Sequence, residues 1–272
     1  MRNVAVSVLV ALAWFTGPVS IPSQEPPPGT VLEGRFAPPP GFRRTPAPAG
    51  GFARWLRRLP LKPGRPEVLL FNGRPKDNQK AHAAVVALDV GRRDLQQCAD
   101  AVIRLRAEYL YERGDHTSIV FQFTSGDPAP FLRWAAGYRP RVNGRRVVWE
   151  KRGPGDGSYA SFRRYLDVVF TYAGTISLDR ELKCVPAGEP PRPGDVFVDP
   201  GSPGHAVLVV DAAAGAAGRR LFILVQGFMP AQEIHVLVNP SDPAISPWYE
   251  ADFGDRLETP EWVFERRHLK RF

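Results

Sequence analysis

Few residues of this chain have the chemistry to break or hold a covalent bond: five histidines and two cysteines among 272 residues. His205 has the most telling setting. The stretch 192–232, RPGDVFVDPGSPGHAVLVVDAAAGAAGRRLFILVQGFMPAQ, reads as three antiparallel strands over 196–198, 206–210 and 221–225, separated by Gly/Pro turns. The turn Pro200-Gly201-Ser202-Pro203-Gly204 delivers His205 to the mouth of the second strand, and Gln226 closes the third. An imidazole at a strand mouth with a carboxamide on the neighbouring strand makes a base and its orienter. The same histidine is equally well read as a hydrogen-bonded group that merely opens a strand.

A base needs a nucleophile, and the sequence offers two. Cys98 falls in the first turns of a predicted helix, where the exposed amides of a helix N-terminus favour a thiolate. Gln96 or Gln97 beside it would help hold an oxyanion. Its place on the apolar stripe with Leu95 and Val102 also suits a small core residue. Ser158 starts another predicted helix, where capping alone accounts for it. Cys184 is either a free thiol or the partner of Cys98 in a disulfide, which would remove Cys98 from any chemistry. No metal site is expected, because His82 with Asp89 and His205 with Asp211 lack ligand spacing. His116, His235 and His268 read as structural or solvated. No phosphate loop or dinucleotide fingerprint occurs, so no cofactor is expected. Asp100 and Glu108 suit a solvated helix face better than a glycosidase pair.

The elements that must position these residues alternate along the chain. A short helix is predicted over 52–59, strands over 68–71 and 85–88, and a long helix over 94–114, capped by Asp94 and stopped by Gly114. Leu95, Cys98, Ala99, Val102, Leu105, Tyr109 and Leu110 recur on its buried face. A strand over 118–123, a short aromatic element over 131–136 and a strand over 145–149 come next. A second long helix is predicted over 158–173, with Tyr159, Phe162, Leu166, Val169 and Phe170 on its apolar stripe. A strand over 234–238 and the aromatic turns SPWY and TPEW complete the domain. The class is α+β: an antiparallel sheet packed against two long helices.

Composition bounds the rest. Apolar content of 43% and charged content of 24% are those of a globular protein. The net charge of +8 and pI near 9.8 suit an anionic environment, but the arginines are scattered rather than clustered, so no nucleic acid is expected as partner. Residues 1–24 have the basic start, apolar run and small-residue end of a signal peptide, too short for a comfortable span. Residues 25–51, rich in Pro and Gly, read as an extended linker or surface wrap that Phe36 and Phe42 tack down. A single folded domain over 52–272 follows. An exported protein, periplasmic or extracellular, is expected, with no stable membrane span after cleavage.

Two resemblances sharpen these expectations. The run PGDVFV, a Gly/Pro turn, then GHAVLVVD resembles the core hairpin of NlpC-type cell-wall endopeptidases of the papain-like superfamily. That resemblance implies a papain-like core with His205 as catalytic base and Gln226 as its orienter. The family places its nucleophilic Cys between an Asp and a Ser at a helix start. Here Asp156 and Ser158 match and Gly157 stands between them, which leaves Cys98 or Ser158 as nucleophile, or a groove that only binds. The phrases DVGRRDLQQCADAVIRLRAEYLY, FRRYLDVVFTYAGTISL and MPAQEIHVLVNP resemble the exported bacterial proteins grouped as domain of unknown function 4846, a likeness covering nearly everything after the linker. The function expected is therefore that of a cell-envelope protein related to peptidoglycan amidases and endopeptidases, if active a cysteine-type amide hydrolase. The rival is a non-catalytic protein whose groove holds a cell-wall peptide or glycan.

Overall fold

The computed structural model describes residues 29–272. The expected signal peptide, and with it the question of a cleaved or retained N-terminal segment, lies outside the described residues. Along the chain come α1 (Leu32–Arg35), β1 (Arg43–Arg44), α2 (Phe52–Arg57), β2 (His82–Val85) and α3 (Cys98–Glu112). The middle third holds β3 (Val120–Gln122), β4 (Pro128–Pro130), α4 (Phe131–Ala135), β5 (Tyr138–Asn143), β6 (Arg146–Lys151), α5 (Tyr159–Tyr172) and α6 (Thr175–Glu181). Then follow β7 (Lys183–Cys184), β8 (Val196–Asp199), β9 (His205–Ala214), β10 (Arg220–Gln226), β11 (His235–Leu237), β12 (Trp248–Glu250), β13 (Arg256–Glu258), β14 (Val263–Glu265) and β15 (Leu269–Arg271).

The α+β class holds. One antiparallel sheet runs β2-β11-β10-β9-β8-β15-β7, with β1 pairing the far end of β9 and β12 that of β10. Both faces are covered, so β9 is buried along nearly its whole length and the two sides of the sheet feed two separate cores. Ala206, Leu208 and Val210 face the larger core with Ala99, Val102 and Leu105 of α3. Val207 and Val209 face the smaller one with Phe197, Phe222 and Phe264. This is the period-two alternation of a strand between two apolar layers.

Two expectations need correction. The two long helices do not share the sheet. α3 lies on β9 and β10, and the other helices against the sheet are the short α2 and α6. The aromatic stripe of α5 turns instead to α4 and the far end of α3: the Phe162 ring stacks on Tyr111 at 4.4 Å, Tyr165 packs on Phe131 at 5.3 Å, and Trp134 Nε1 donates to Ser161 Oγ at 3.0 Å. An amphipathic stripe shows that a helix face is buried, not what buries it.

The fold also begins before Phe52. Leu32 is fully buried in the main core, and Arg44 and Arg57 converge on the fully buried Asp211, at 2.7 and 2.6 Å. Of the two readings, linker or surface wrap, the stretch from 29 to 51 fits the wrap: it carries a short helix and a paired strand, Phe36 and Phe42 pack on the core, and Arg44 engages Asp211, 167 residues away. Leu32→Ala is therefore expected to destabilise the protein by about 2–5 kcal/mol, as loss of a core leucine does. A denaturant midpoint unchanged by that substitution would return the segment to the status of a tether.

Candidate active site

Two glycines let the N-terminus of α3 come down onto the sheet. A Cβ at Gly227, just past β10, would lie 2.8 Å from the Gln97 carbonyl oxygen. A Cβ at Gly204, just before β9, would lie 2.5 Å from Thr175 Oγ1 and 2.6 Å from the Gly201 amide nitrogen. Such distances exclude any side chain, so the helix start, the 200–204 turn and the start of α6 close on one point. Cys98, the first residue of α3, stands there, its Sγ 3.8 Å from the Gly204 carbonyl oxygen. The Asp100 carboxylate oxygen Oδ2 accepts from the Gln97 amide at 3.1 Å and ties off the helix start.

On the other side of the strand mouth the imidazole of His205 meets the Gln226 carboxamide, Nε2 to Oε1, at 2.8 Å. The ring is roofed by Phe228, Trp262 and Phe264, with centroids 4.8, 5.4 and 5.8 Å away. Gln226 is itself held: its Nε2 donates to Glu261 Oε2 at 2.7 Å and to His235 Nε2 at 3.1 Å, while His235 Nδ1 meets the Glu233 carbonyl at 2.9 Å. Glu261 is ion-paired with Lys76.

These partners assign every proton. The lysine keeps Glu261 an acceptor, so the Gln226 NH₂ must face it and Oε1 must face His205. An amide oxygen only accepts, so His205 carries its proton on Nε2 and leaves the Nδ1 lone pair free. The second Gln226 proton goes to His235 Nε2, whose own proton then sits on Nδ1 and reaches the Glu233 carbonyl. The network defines one tautomer of His205: a base at Nδ1.

Burial sets the charge states. Desolvation takes the His205 pKa down to about 4 against the help of Gln226, and that of His235 to about 3, so both rings are neutral near pH 7. Burial first, and the Asp100 carboxyl second, push the Cys98 thiol up to about 11, although the amides of Ala99, Ala206 and Cys98 itself pull the other way. Burial also holds Asp100 well above the usual carboxylate range, and its Oδ1 has no hydrogen-bond partner. The resting pair is a neutral thiol and a neutral imidazole, with no hydrogen bond between them among the described residues.

The sequence expectations for individual residues divide accordingly. His205 and Gln226 meet as expected. Cys98 is brought to the main chain on either side of His205, touching Gly204 from the α3 face while the His205 ring leaves on the opposite face. A cleft of about 510 Å³, lined by Cys98, Asp100, Thr175, the 201–204 turn and Met229, opens at this point. Ser158 caps α5, its hydroxyl accepting from the Ser161 amide at 3.2 Å, and no contact joins it to His205. Gly157, where the NlpC pattern has cysteine, lies beside Ser158, its carbonyl accepting from Tyr111. Cys98 is buried, Cys184 is exposed, and both are free thiols, so the alternative of a disulfide is removed. Among the described residues no cluster of His, Cys, Asp or Glu has the arrangement to hold a metal ion. His235, Glu261, Lys76 and Trp262 were not singled out as site residues. They lie on three separate segments, and no spacing rule links them to His205.

Residues 32–271 match the family described as a domain of unknown function (4846). The chain belongs to that family. The match spans the arm, the thiol, the imidazole and Glu261, so the whole constellation lies inside the family domain rather than on an appendage. No curated protein and no solved structure matches the chain.

Two outcomes are expected. Iodoacetamide should modify exposed Cys184 readily at pH 8 while Cys98 reacts slowly, its rate climbing about tenfold per pH unit toward pH 11 as the thiolate forms. Peptide mass spectrometry reads both sites, and fast modification of Cys98 at pH 8 would contradict its burial. The histidines act on stability in the opposite pH range. Their folded pKa values lie below the ordinary 6.5, so the stability they confer is full above pH 6.5 and lost as pH falls toward 4 for His205 and 3 for His235. The His205 contribution amounts to about 3 kcal/mol, visible as a falling urea midpoint between pH 6.5 and 4, a fall that His205→Gln reduces.

Proposed function

We propose that this protein is a cysteine-type amide hydrolase of papain-like design, with Cys98 as nucleophile, His205 as base and Gln226 as the group that orients it. The observation that carries this is the chain Lys76–Glu261–Gln226–His205, which holds His205 in one tautomer with its Nδ1 lone pair unused. A buried network that presents a histidine in one tautomer is what general-base work requires. Cys98 reaches β9 from the α3 face and the His205 ring lies on the other, so substrate binding is required to bring the two together.

In the proposed reaction His205 Nδ1 takes the thiol proton as Cys98 Sγ bonds to the substrate carbonyl carbon. The C–N bond then breaks, the amine leaves with the proton from His205, and a thioester remains on Cys98. Water attacks that thioester, giving its proton to His205. The C–S bond breaks, the acid departs and the thiol regains its proton. The Cys98 and Ala99 amides at the α3 N-terminus supply the positive end of a helix dipole to the sulfur and to the developing oxyanion.

The substrate class follows from the resemblance to cell-wall endopeptidases together with the signal-like residues 1–24: an amide of a cell-envelope peptide, met outside the cytoplasm. The second reading, a non-catalytic protein that holds such a peptide or glycan, draws on the raised thiol pKa. The two separate in one experiment. Purified cell-wall material is incubated with the protein and newly freed amines are counted. Release is expected from the native chain, falling by about 10²–10⁴-fold in His205→Ala and to background in Cys98→Ala. Gln226→Leu is expected to lower kcat and displace the pH profile. Release that persists in Cys98→Ala would end the hydrolase assignment, and co-sedimentation without any release would establish the binding one.

A further inference from the structure

A second cavity, of about 970 Å³, adjoins the Cys98 cleft, and Leu95 and Phe170 line both. Leu70, Phe71 and Val90 make much of its remaining wall apolar. Two of its lining residues, Gln96 and Arg163, each carry a buried donor without a partner, Gln96 Nε2 and Arg163 Nη1. Gln96 is only 1% exposed, so water has little access to it. Its orientation is fixed: Oε1 accepts from Arg104 Nη1 at 3.0 Å, and a guanidinium can only donate. Arg104 is in turn pinned by Glu108 at 2.5 Å, so the Gln96 amide cannot turn over to hide its NH₂. Buried donors are almost always paired in folded proteins, and two left over on one cavity wall are unmet by the chain itself.

We propose that this cavity binds a molecule carrying a carboxylate on an apolar body, with the carboxylate oxygens accepting from Gln96 Nε2 and Arg163 Nη1. The apolar wall takes the body, as in most small-molecule sites. The acidic residues around the cavity do not oppose an anion, because each is already engaged: Asp89 with Arg104 and Arg163, Asp167 with Arg93, Glu233 with Lys62. Burial first and the neighbouring Arg104 second disfavour the Arg163 charge, only partly offset by Asp89, Glu108 and Tyr159, so an anion at its unpartnered Nη1 adds to that offset. The inference stands whether or not Cys98 is a nucleophile. If it is one, the shared wall at Leu95 and Phe170 sets the carboxylate-bearing molecule next to the thiol.

The test uses the full chain with Cys98→Ala, so that failure of the hydrolase assignment and failure of this one remain distinct. N-acetyl-phenylalanine and N-acetyl-phenylalaninamide are titrated in parallel by calorimetry or ligand-observed NMR. The acid is expected to bind at least about tenfold more tightly than the amide, a difference of about 1.4 kcal/mol. Gln96→Glu keeps the bond to Arg104 but turns the donor into an acceptor, and is expected to abolish binding. Arg163→Met is expected to weaken it at least about tenfold. Thermal melts verify folding, and either variant alone suffices if the other does not fold. Equal binding of acid and amide, no binding of the acid up to its solubility limit, or full affinity in a folded variant would overturn the proposal.

Discussion

The ion pair between Lys76 and Glu261 settles which way the Gln226 amide turns, and much of the candidate site rests on that choice. With a charged carboxylate on one side, the carboxamide presents its oxygen on the other, and the imidazole beyond it has no option but to hold its proton at Nε2. The pair is itself largely buried, and removing one member of such a pair leaves an uncompensated charge, so the arrangement resists fraying. Roofing by Phe228 and Trp262 keeps water from competing with the His205–Gln226 bond. A tautomer that in water is a matter of averages becomes here a property of the fold.

The second determinant is geometric. β9 separates two cores, and the residues on either side of His205 point to different ones. A helix can bring its first residue to such a strand only where neither partner carries a side chain, and Gly227 and Gly204 meet that condition. The thiol consequently approaches the strand mouth from one layer while the imidazole is furnished and protected by the other. Neither layer alone contains the site.

Legibility in the sequence followed this division. Strand alternation, Gly/Pro turns and helix stripes mark out β8, β10 and α5 within a residue. β9, by contrast, runs on to Ala214, and α3 begins four residues later than expected, at Cys98, with Gln97 rather than Asp94 as its cap. The encounter of His205 with Gln226 was readable because adjacent antiparallel strands leave little choice of neighbour. Glu261 and Lys76 were not readable, because charge complementarity across 185 residues has no local period. The arm is read as a linker or as a wrap held by Phe36 and Phe42, and its other anchors stay hidden for a related reason. Proline-rich composition forbids regular structure, but it does not forbid Leu32 or Arg44 from finding a buried partner. The α5 stripe announced burial without saying that aromatic rings of α3 and α4, not the sheet, would supply it.

The hairpin of β13 and β14 carries Glu261 at its turn and forms a sheet of its own, after all strands of the main sheet except β15. A chain folded only through β12 would lack β15 between β8 and β7, and the carboxamide beside His205 would be free to present either end. The direction in which the Gln226 amide points is thus decided by a segment near the C-terminal end of the fold, far in sequence from the strand that carries it.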